Sequence, residues 1–144
     1  MTDKTLESII KRRFYDHKKT AERLGKTPPK IEDIKTVFVN AFNDGFRCCY
    51  CGTKLEFHTP YPYFASPSLD HKTSLWGGGD NQLENLVVCC ARCNIFKGTM
   101  GYDTAKKVIS LLIEKGVYKK ASTEMFHGRL AQKLYERNPP SGSC

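Results

Sequence analysis

The sequence contains no apolar run that approaches the roughly 20 residues of a membrane-spanning helix. Its first residues do not join a basic segment to an apolar segment and a small-residue cleavage site, the pattern of a secretory signal. Acidic residues are also few, since 15 Asp and Glu stand against 23 Lys and Arg. The 144 residues are enough for one modest hydrophobic core. We therefore expect a single folded domain that is soluble, cytoplasmic and not associated with a membrane.

The basic residues are concentrated toward both ends of the chain. Residues 1–30 and residues 95–144 each carry nine Lys or Arg against four Asp or Glu, whereas residues 31–94 carry five against seven. The three segments therefore have net charges of +5, +5 and −2, respectively. Basic arms of this kind can neutralise phosphates around a centre that holds carboxylates and a cation. The pattern indicates a nucleic-acid partner, although the solvated faces of surface helices would give the same composition.

Hydrophobic periodicity predicts helices at both ends of the chain and an irregular middle. The predicted helices cover residues 4–24, 31–43, 103–115 and 122–137. Two short strands are predicted at Ser68–His71 and Leu86–Cys89, with a helix that begins near Ala91. The predicted organisation is an N-terminal basic helical flank (1–45), a central core (46–100), a C-terminal helical flank (101–138) and a disordered tail (139–144).

Six of the seven cysteines fall in two tight clusters, at 48, 49 and 51 and at 89, 90 and 93. Without a secretory signal, such clusters favour a metal site over disulfides. Two Cys-x-x-Cys pairs, separated by 38 residues, can supply four thiolates to a structural zinc ion: Cys48, Cys51, Cys90 and Cys93. Cys49 and Cys89 are competing ligands, but their one-residue and three-residue gaps are less usual for a chelating turn.

Asp70-His71 has the residue types that phosphodiester hydrolysis requires. Histidine titrates near neutral pH and can take a proton from water, while the adjacent carboxylate is a hard ligand for Mg²⁺ or Mn²⁺. Asn94 and Lys97 lie one turn apart on the predicted helix, on a face next to that of the cysteines. Asp70 and Asn94 are therefore candidate cation ligands. Lys97 and Lys72 are candidate contacts to phosphate.

These elements follow one another in a characteristic order. The chain contains, in sequence, Asp70-His71, a Gly77-Gly78-Gly79 loop, Asn85-Leu86 and Cys90-x-x-Cys93-Asn94-x-x-Lys97. Together with Cys48 and Cys51, this pattern resembles the HNH endonuclease family, in the subgroup with a four-cysteine zinc knot. The resemblance covers about residues 46–100. It implies an α+β fold with a small ββα-metal (His-Me finger) core and a structural zinc knot, here flanked by N- and C-terminal α-helices.

The resemblance also implies roles for individual residues. His71 would be the general base, and Asn85 the middle asparagine that braces the loop carrying that base. Asn94 stands at the third position, where many members have histidine, so the motif is an H-N-N variant. Asp70 and Asn94 would hold the catalytic cation, and cleavage would leave 5′-phosphate and 3′-hydroxyl ends.

The alternation of side chains along a strand raises a difficulty, because Asp70 and His71 would point to opposite faces. We therefore expect His71 at the end of the strand, with a backbone carbonyl of the glycine loop fixing its tautomer. For Trp76, packing in the core is favoured over contact with DNA. His17 fits no pattern and receives no role.

The sequence thus predicts a metal-dependent DNA endonuclease. The alternative is a zinc-stapled nucleic-acid-binding module without hydrolytic activity, in which Asp70-His71 is structural, and a protein-interaction adaptor is a third possibility. One site of this kind cuts one strand, so a palindromic double-strand cutter would require a symmetric homodimer.

Overall fold

A computed structural model describes residues 3–56 and 64–118, which form four α-helices, a short 3₁₀-helix and a two-stranded sheet. The helices are α1 (Asp3–Arg23), α2 (Ile31–Asn43), α3 (Ala91–Lys97) and α4 (Tyr102–Glu114), and the strands are β1 (Pro67–His71) and β2 (Leu86–Cys90). The predicted α+β class is confirmed. The predicted helix at 122–137 and the predicted tail at 139–144 lie outside the described residues.

The two N-terminal helices confirm the periodicity that predicted them. Ile9 and Ile10 of α1 are buried, and the turn that follows the helix contains Gly25, whose φ of 67° is left-handed. In α2, Ile34 and Phe38 are fully buried. Both helices therefore present an apolar face to the rest of the chain.

The strands form an antiparallel hairpin in which Pro67 lies opposite Cys90 and His71 lies opposite Leu86. The chain passes directly from β2 into α3, and the Cys90 sulfur accepts a hydrogen bond from the backbone N–H of Cys93 at 3.4 Å. This bond caps the first turn of the helix. β1, β2 and α3 thus form the expected ββα unit, with His71 as the last residue of its strand.

Helix α4 is tied to the end of β1. Its first residue, Tyr102, donates its backbone N–H to the carbonyl of Lys72 at 3.0 Å. Ala105 and Ile109 are fully buried on the inner face of the helix. The C-terminal flank therefore packs beside the ββα unit.

One hydrophobic core joins the helical flanks to the hairpin. Its buried residues come from α1, α2, both strands and α4, and include Ile9, Ile34, Phe38, Leu69, Val88 and Ile109. The buried faces of the flanking helices thus cover the hairpin within the same chain. No helix in residues 3–56 or 64–118 is long and apolar enough to cross a bilayer.

Candidate nuclease active site and zinc site

The four cysteines predicted to bind zinc meet at one buried point, with all of their sulfur atoms within 4.8 Å of one another. The sulfurs of Cys51 and Cys90 lie 3.8 Å apart. A tetrahedral ion with zinc–sulfur bonds of about 2.3 Å requires sulfur atoms about 3.8 Å apart, so the cluster has the dimensions of a structural zinc site. Cys48, Cys51, Cys90 and Cys93 would hold the ion.

The proton chemistry of the cluster also fits a cation. Hydrogen bonds with the other three thiols lower the pKa of Cys51, and the bond with Cys48 has the largest effect. Hydrogen bonds with Cys48 raise the pKa of Cys90 and of Cys93. The four sulfurs therefore share protons, and a divalent cation would allow all of them to ionise. The hydroxyl of Tyr118 lies 3.1 Å from the Cys93 sulfur, a neighbour that no sequence motif indicated.

The two competing cysteines are not part of this cluster. Cys89 is fully buried in the hydrophobic core, and Cys49 packs against it. Burial is the main cause that raises the pKa of both thiols, so both remain protonated. The choice of ligands made from sequence spacing is consistent with this arrangement.

The imidazole of His71 is held by a relay that the sequence did not reveal. Its Nε2 lies 2.6 Å from Oδ1 of Asn81, and Nδ2 of Asn81 donates to the carbonyl of Thr27 at 2.9 Å. Because the amide nitrogen of Asn81 donates to Thr27, its Oδ1 faces His71 and accepts a hydrogen bond from the Nε2–H group. In the neutral imidazole, Nδ1 of His71 therefore carries the lone pair that a base requires. A side chain fixes this tautomer instead of the backbone carbonyl we expected.

Asp70 points to the opposite face of β1, as strand alternation requires. Its Oδ2 accepts a 2.6 Å hydrogen bond from the hydroxyl of Tyr50 and lies 3.3 Å from the ammonium nitrogen of Lys97. Burial and the neighbouring carboxylate raise the pKa of Tyr50, which keeps the phenol protonated as a donor. The carboxylate is thus fixed on one side and charge-paired on the other.

This arrangement corrects the sequence interpretation of Lys97. The side chain has 0% exposure, and its ammonium also donates to the backbone carbonyl of His71 at 2.9 Å. Helical spacing placed Lys97 near Asn94 but could not show whether that face was open or packed. A phosphate contact by Lys97 is contradicted by its burial, and the residue acts as the internal partner of Asp70.

Lys72, the other predicted phosphate contact, extends toward α4. Its ammonium lies 5.1 Å from the ring centroid of Tyr102, a cation–π distance. The side chain is half-buried. A phosphate contact by Lys72 remains a prediction.

Asn94 lies in α3, and Asn85 lies directly before β2. The Asn94 amide donates to the hydroxyl of Ser68 at 2.7 Å, so its Oδ1 is the atom that can face a cation. Asn85 receives a bond from the Thr73 N–H at 2.8 Å and donates to the carbonyls of Thr73 and Asp80 at 2.9 and 2.7 Å. Asn85 thus joins the two ends of the glycine loop that follows His71.

Three of the candidate site residues line one cavity of about 450 Å³. Asp70, His71 and Asn94 line it from the ββα unit. Helix α1 forms another wall, which contributes Arg13 and His17. The N-terminal flank therefore belongs to the candidate site, which the sequence did not predict.

Oxygen atoms of Asp70 and Asn94 are of the type that Mg²⁺ or Mn²⁺ prefers. The fit is partial, because the Lys97 ammonium already neutralises the carboxylate at 3.3 Å. A cation at this position would compete with Lys97 for Asp70. Its affinity would depend on further oxygen atoms, which a phosphate and waters can provide.

His17 is the closest aromatic neighbour of the proposed base on α1. The two imidazole centroids lie 5.3 Å apart, and Nδ1 of His17 lies 2.9 Å from the carbonyl of Arg13. Burial, with a smaller contribution from His71, lowers the pKa of His17 to about 4. His17 is therefore neutral at pH 7. Helical spacing alone could not indicate that this residue packs on β1.

The fold thus combines a ββα unit with a candidate four-cysteine metal site. Residues 48–99 match the model of the HNH endonuclease family. The match includes all four clustered cysteines, Asp70, His71, Asn85 and Asn94, but neither α1 nor Thr27. No curated protein matches the chain.

The adjacent residues Cys48 and Cys49 provide a test of the zinc site. Cys48→Ser should remove one of four ligands and lose most of the bound zinc, with a lower melting temperature. Cys49→Ser should retain zinc at about one ion per chain, because its thiol lies outside the cluster. Metal analysis by mass spectrometry and thermal melting would measure both. Equal loss of zinc in the two variants would contradict the assignment.

The Asp70–Lys97 pair predicts a large effect of one buried lysine. Lys97→Met should lower the free energy of unfolding by about 3–5 kcal/mol, because it leaves a buried carboxylate without its charge partner. The exposed Lys107→Met serves as the control and should change it by less than about 0.5 kcal/mol. Urea unfolding at pH 7 would measure both variants. Similar midpoints for the two would show that the pair contributes nothing to stability.

The lowered pKa of His17 predicts a pH-dependent stability. The unfolded chain binds a proton at His17 near pH 6.5, whereas the folded chain does so near pH 4. The free energy of unfolding should therefore fall as the pH drops through this window, by up to about 3 kcal/mol. His17→Asn keeps a donor for the Arg13 carbonyl but does not titrate. Its urea-unfolding profile should be flatter than wild type from pH 6.5 to 4, and parallel profiles would contradict the account.

Proposed function

We propose that the chain is a metal-dependent DNA endonuclease that hydrolyses phosphodiester bonds. The observation that carries this proposal is the hydrogen bond of His71, whose Nε2 lies 2.6 Å from Oδ1 of Asn81. The base atom Nδ1 is thereby left with its lone pair in a cavity that Asp70 and Asn94 also line. This combination lies within the segment that matches the HNH endonuclease family.

In the proposed mechanism, Nδ1 of His71 takes a proton from a water molecule, and the resulting hydroxide attacks the phosphorus. Asn81 stabilises the imidazolium that forms, because its Oδ1 accepts from Nε2. Asn85 keeps the loop after His71 in place through its bonds to Thr73 and Asp80. The bond between phosphorus and the 3′ oxygen breaks, and that oxygen takes a proton from water, which gives 5′-phosphate and 3′-hydroxyl ends.

Asp70 and Asn94 would hold the divalent cation. When bound, Mg²⁺ or Mn²⁺ would supply positive charge to the phosphate oxygens and to the departing 3′ oxygen. Lys97, at 3.3 Å from Asp70, would keep the carboxylate charge-paired when no cation is present. We therefore expect an exchangeable catalytic cation, in contrast to the zinc ion of the cysteine cluster.

The N-terminal flank would hold the DNA. Residues 1–30 carry a net charge of +5, and α1 forms one wall of the cavity. Exposed lysines on this helix, such as Lys11 and Lys19, can neutralise phosphates on either side of the cut. Binding should accordingly weaken as the salt concentration rises.

A zinc-stapled nucleic-acid-binding module without hydrolytic activity is the second candidate. One observation favours it: Asp70 is buried and bonded to Tyr50 and Lys97, as a structural carboxylate would be. On that alternative, the zinc site and the basic flanks would bind DNA, and His71 would have no catalytic role. The two candidates differ in whether DNA is cut.

Supercoiled plasmid provides the direct test of the proposed reaction. Zinc-loaded protein should nick it when Mg²⁺ or Mn²⁺ is added, and DNA ligase should reseal the nicks because the ends are 5′-phosphate and 3′-hydroxyl. His71→Ala should slow nicking by at least about 100-fold through loss of the base. Asp70→Asn should also be slow, whereas Asp103→Asn, an exposed carboxylate of α4, should cut as wild type does.

Two results would overturn the nuclease proposal. One is a His71→Ala variant that cuts as fast as wild type, and the other is plasmid that stays intact with either added cation. If intact plasmid is nevertheless bound in a salt-sensitive manner, the binding module is supported. Cutting that yields linear plasmid, together with a dimer mass in solution, would support a homodimer that acts on both strands.

A further inference from the structure

The only tryptophan of the sequence is exposed at the edge of the candidate active site. Trp76 has 77% of its surface exposed, although tryptophan is usually well buried. The core packing favoured from the sequence is therefore wrong. The large apolar surface of the indole is not buried against the protein and is therefore available for contact with a ligand.

The loop that carries Trp76 is tightly constrained. Ser74 accepts two bonds from the Gly77 N–H, at 3.0 Å to its carbonyl and 2.9 Å to its hydroxyl, and its carbonyl accepts a third from Gly79 at 2.8 Å. A side-chain carbon on Gly79 would come within 2.0 Å of the Thr73 carbonyl oxygen, so only glycine fits there. The fold thus holds Trp76 outward through a defined turn.

Residues on both sides of Trp76 fix the turn to the protein. Leu75 is buried, with 7% exposure, and the ammonium of Lys26 donates to the carbonyl of Gly79 at 3.1 Å. Asn85 holds Thr73 through two further bonds. The backbone that carries the indole would therefore lose little conformational entropy when a ligand binds.

Trp76 lines the same cavity as His71 and Asn94. On the proposed function, the scissile phosphate must lie between those two residues. A neighbouring nucleotide of the same strand would then extend toward the cavity edge. Among the described residues that line the cavity, Trp76 carries the exposed aromatic ring.

We propose that Trp76 stacks on a nucleobase next to the scissile phosphate, an inference that rests on the proposed DNA endonuclease function. Every base has an aromatic face, so stacking would hold the strand with little preference for sequence. The contact would place the phosphate relative to His71 without direct participation in the reaction. Trp76 is therefore a positioning residue that acts through substrate binding.

The single tryptophan makes this contact directly measurable. Zinc-loaded protein without added Mg²⁺ or Mn²⁺ would be titrated with a short single-stranded DNA, whose bases are free to stack, with anisotropy of a dye on the DNA read in parallel. Indole fluorescence should be quenched with the same dissociation constant as the anisotropy change. An oligonucleotide that carries the phosphates but no bases should bind with little quenching.

Two substitutions at Trp76 separate aromatic stacking from other effects. Trp76→Ala should raise the dissociation constant and KM by about five- to 150-fold, with a smaller change in kcat. Trp76→Phe retains a ring and should stay much closer to wild type. Val117→Ala removes a side chain that is also largely exposed, at 72%, and should have no effect on binding.

The outcomes distinguish this inference from the nuclease proposal. If DNA is bound and cut but indole fluorescence does not change and Trp76→Ala behaves as Val117→Ala does, stacking is refuted and the nuclease proposal stands. Equal quenching by the base-free strand would likewise refute stacking. If no DNA is bound, both the stacking contact and the nuclease proposal are refuted. If the protein self-associates in solution through a surface that covers Trp76, stacking is refuted and the nuclease proposal is unaffected.

Discussion

The four-cysteine cluster is the constraint on which the rest of the structure depends. It joins the turn at 48–51 to the β2–α3 junction at 90–93, with all sulfur atoms within 4.8 Å. The two-stranded sheet is too small to be stable alone, since isolated hairpins are marginal in water. A metal ion there would stabilise β2 and α3 at their junction. His71 and Asn94 depend on those elements, because β1 pairs with β2 and Asn94 lies in α3.

Strand alternation explains why the site needs more than the ββα unit. Asp70 faces α3 and meets Lys97, whereas His71 faces the other way and meets Asn81 and His17. Each of the two faces therefore has its own supporting groups. The supports on the His71 side include α1 and the carbonyl of Thr27, which lie outside the residues that match the HNH family. The N-terminal flank is accordingly part of the site.

The sequence predicted those features that depend on local spacing. Helical periodicity located α1, α2 and α4, and the Cys-x-x-Cys spacing located the candidate zinc ligands. The two short strands were also predicted, at Ser68–His71 and Leu86–Cys89. The features it missed depend on contacts between distant residues. The Asn81–Thr27 bond spans 54 positions, and the packing of His17 on His71 spans the same distance. The burial of Lys97 was missed because helical geometry places a residue on a face without showing what covers that face.

Hydrogen exchange of the zinc-loaded and zinc-stripped protein tests the central claim most directly. If the cysteine cluster holds the site together, removal of zinc should abolish protection of the backbone amides in β1, β2 and α3 together. Amides in the middle of α1 should lose less protection, because that helix is far from the cluster in sequence. Retained protection across Pro67–His71 and Leu86–Lys97 in metal-free protein would contradict the account.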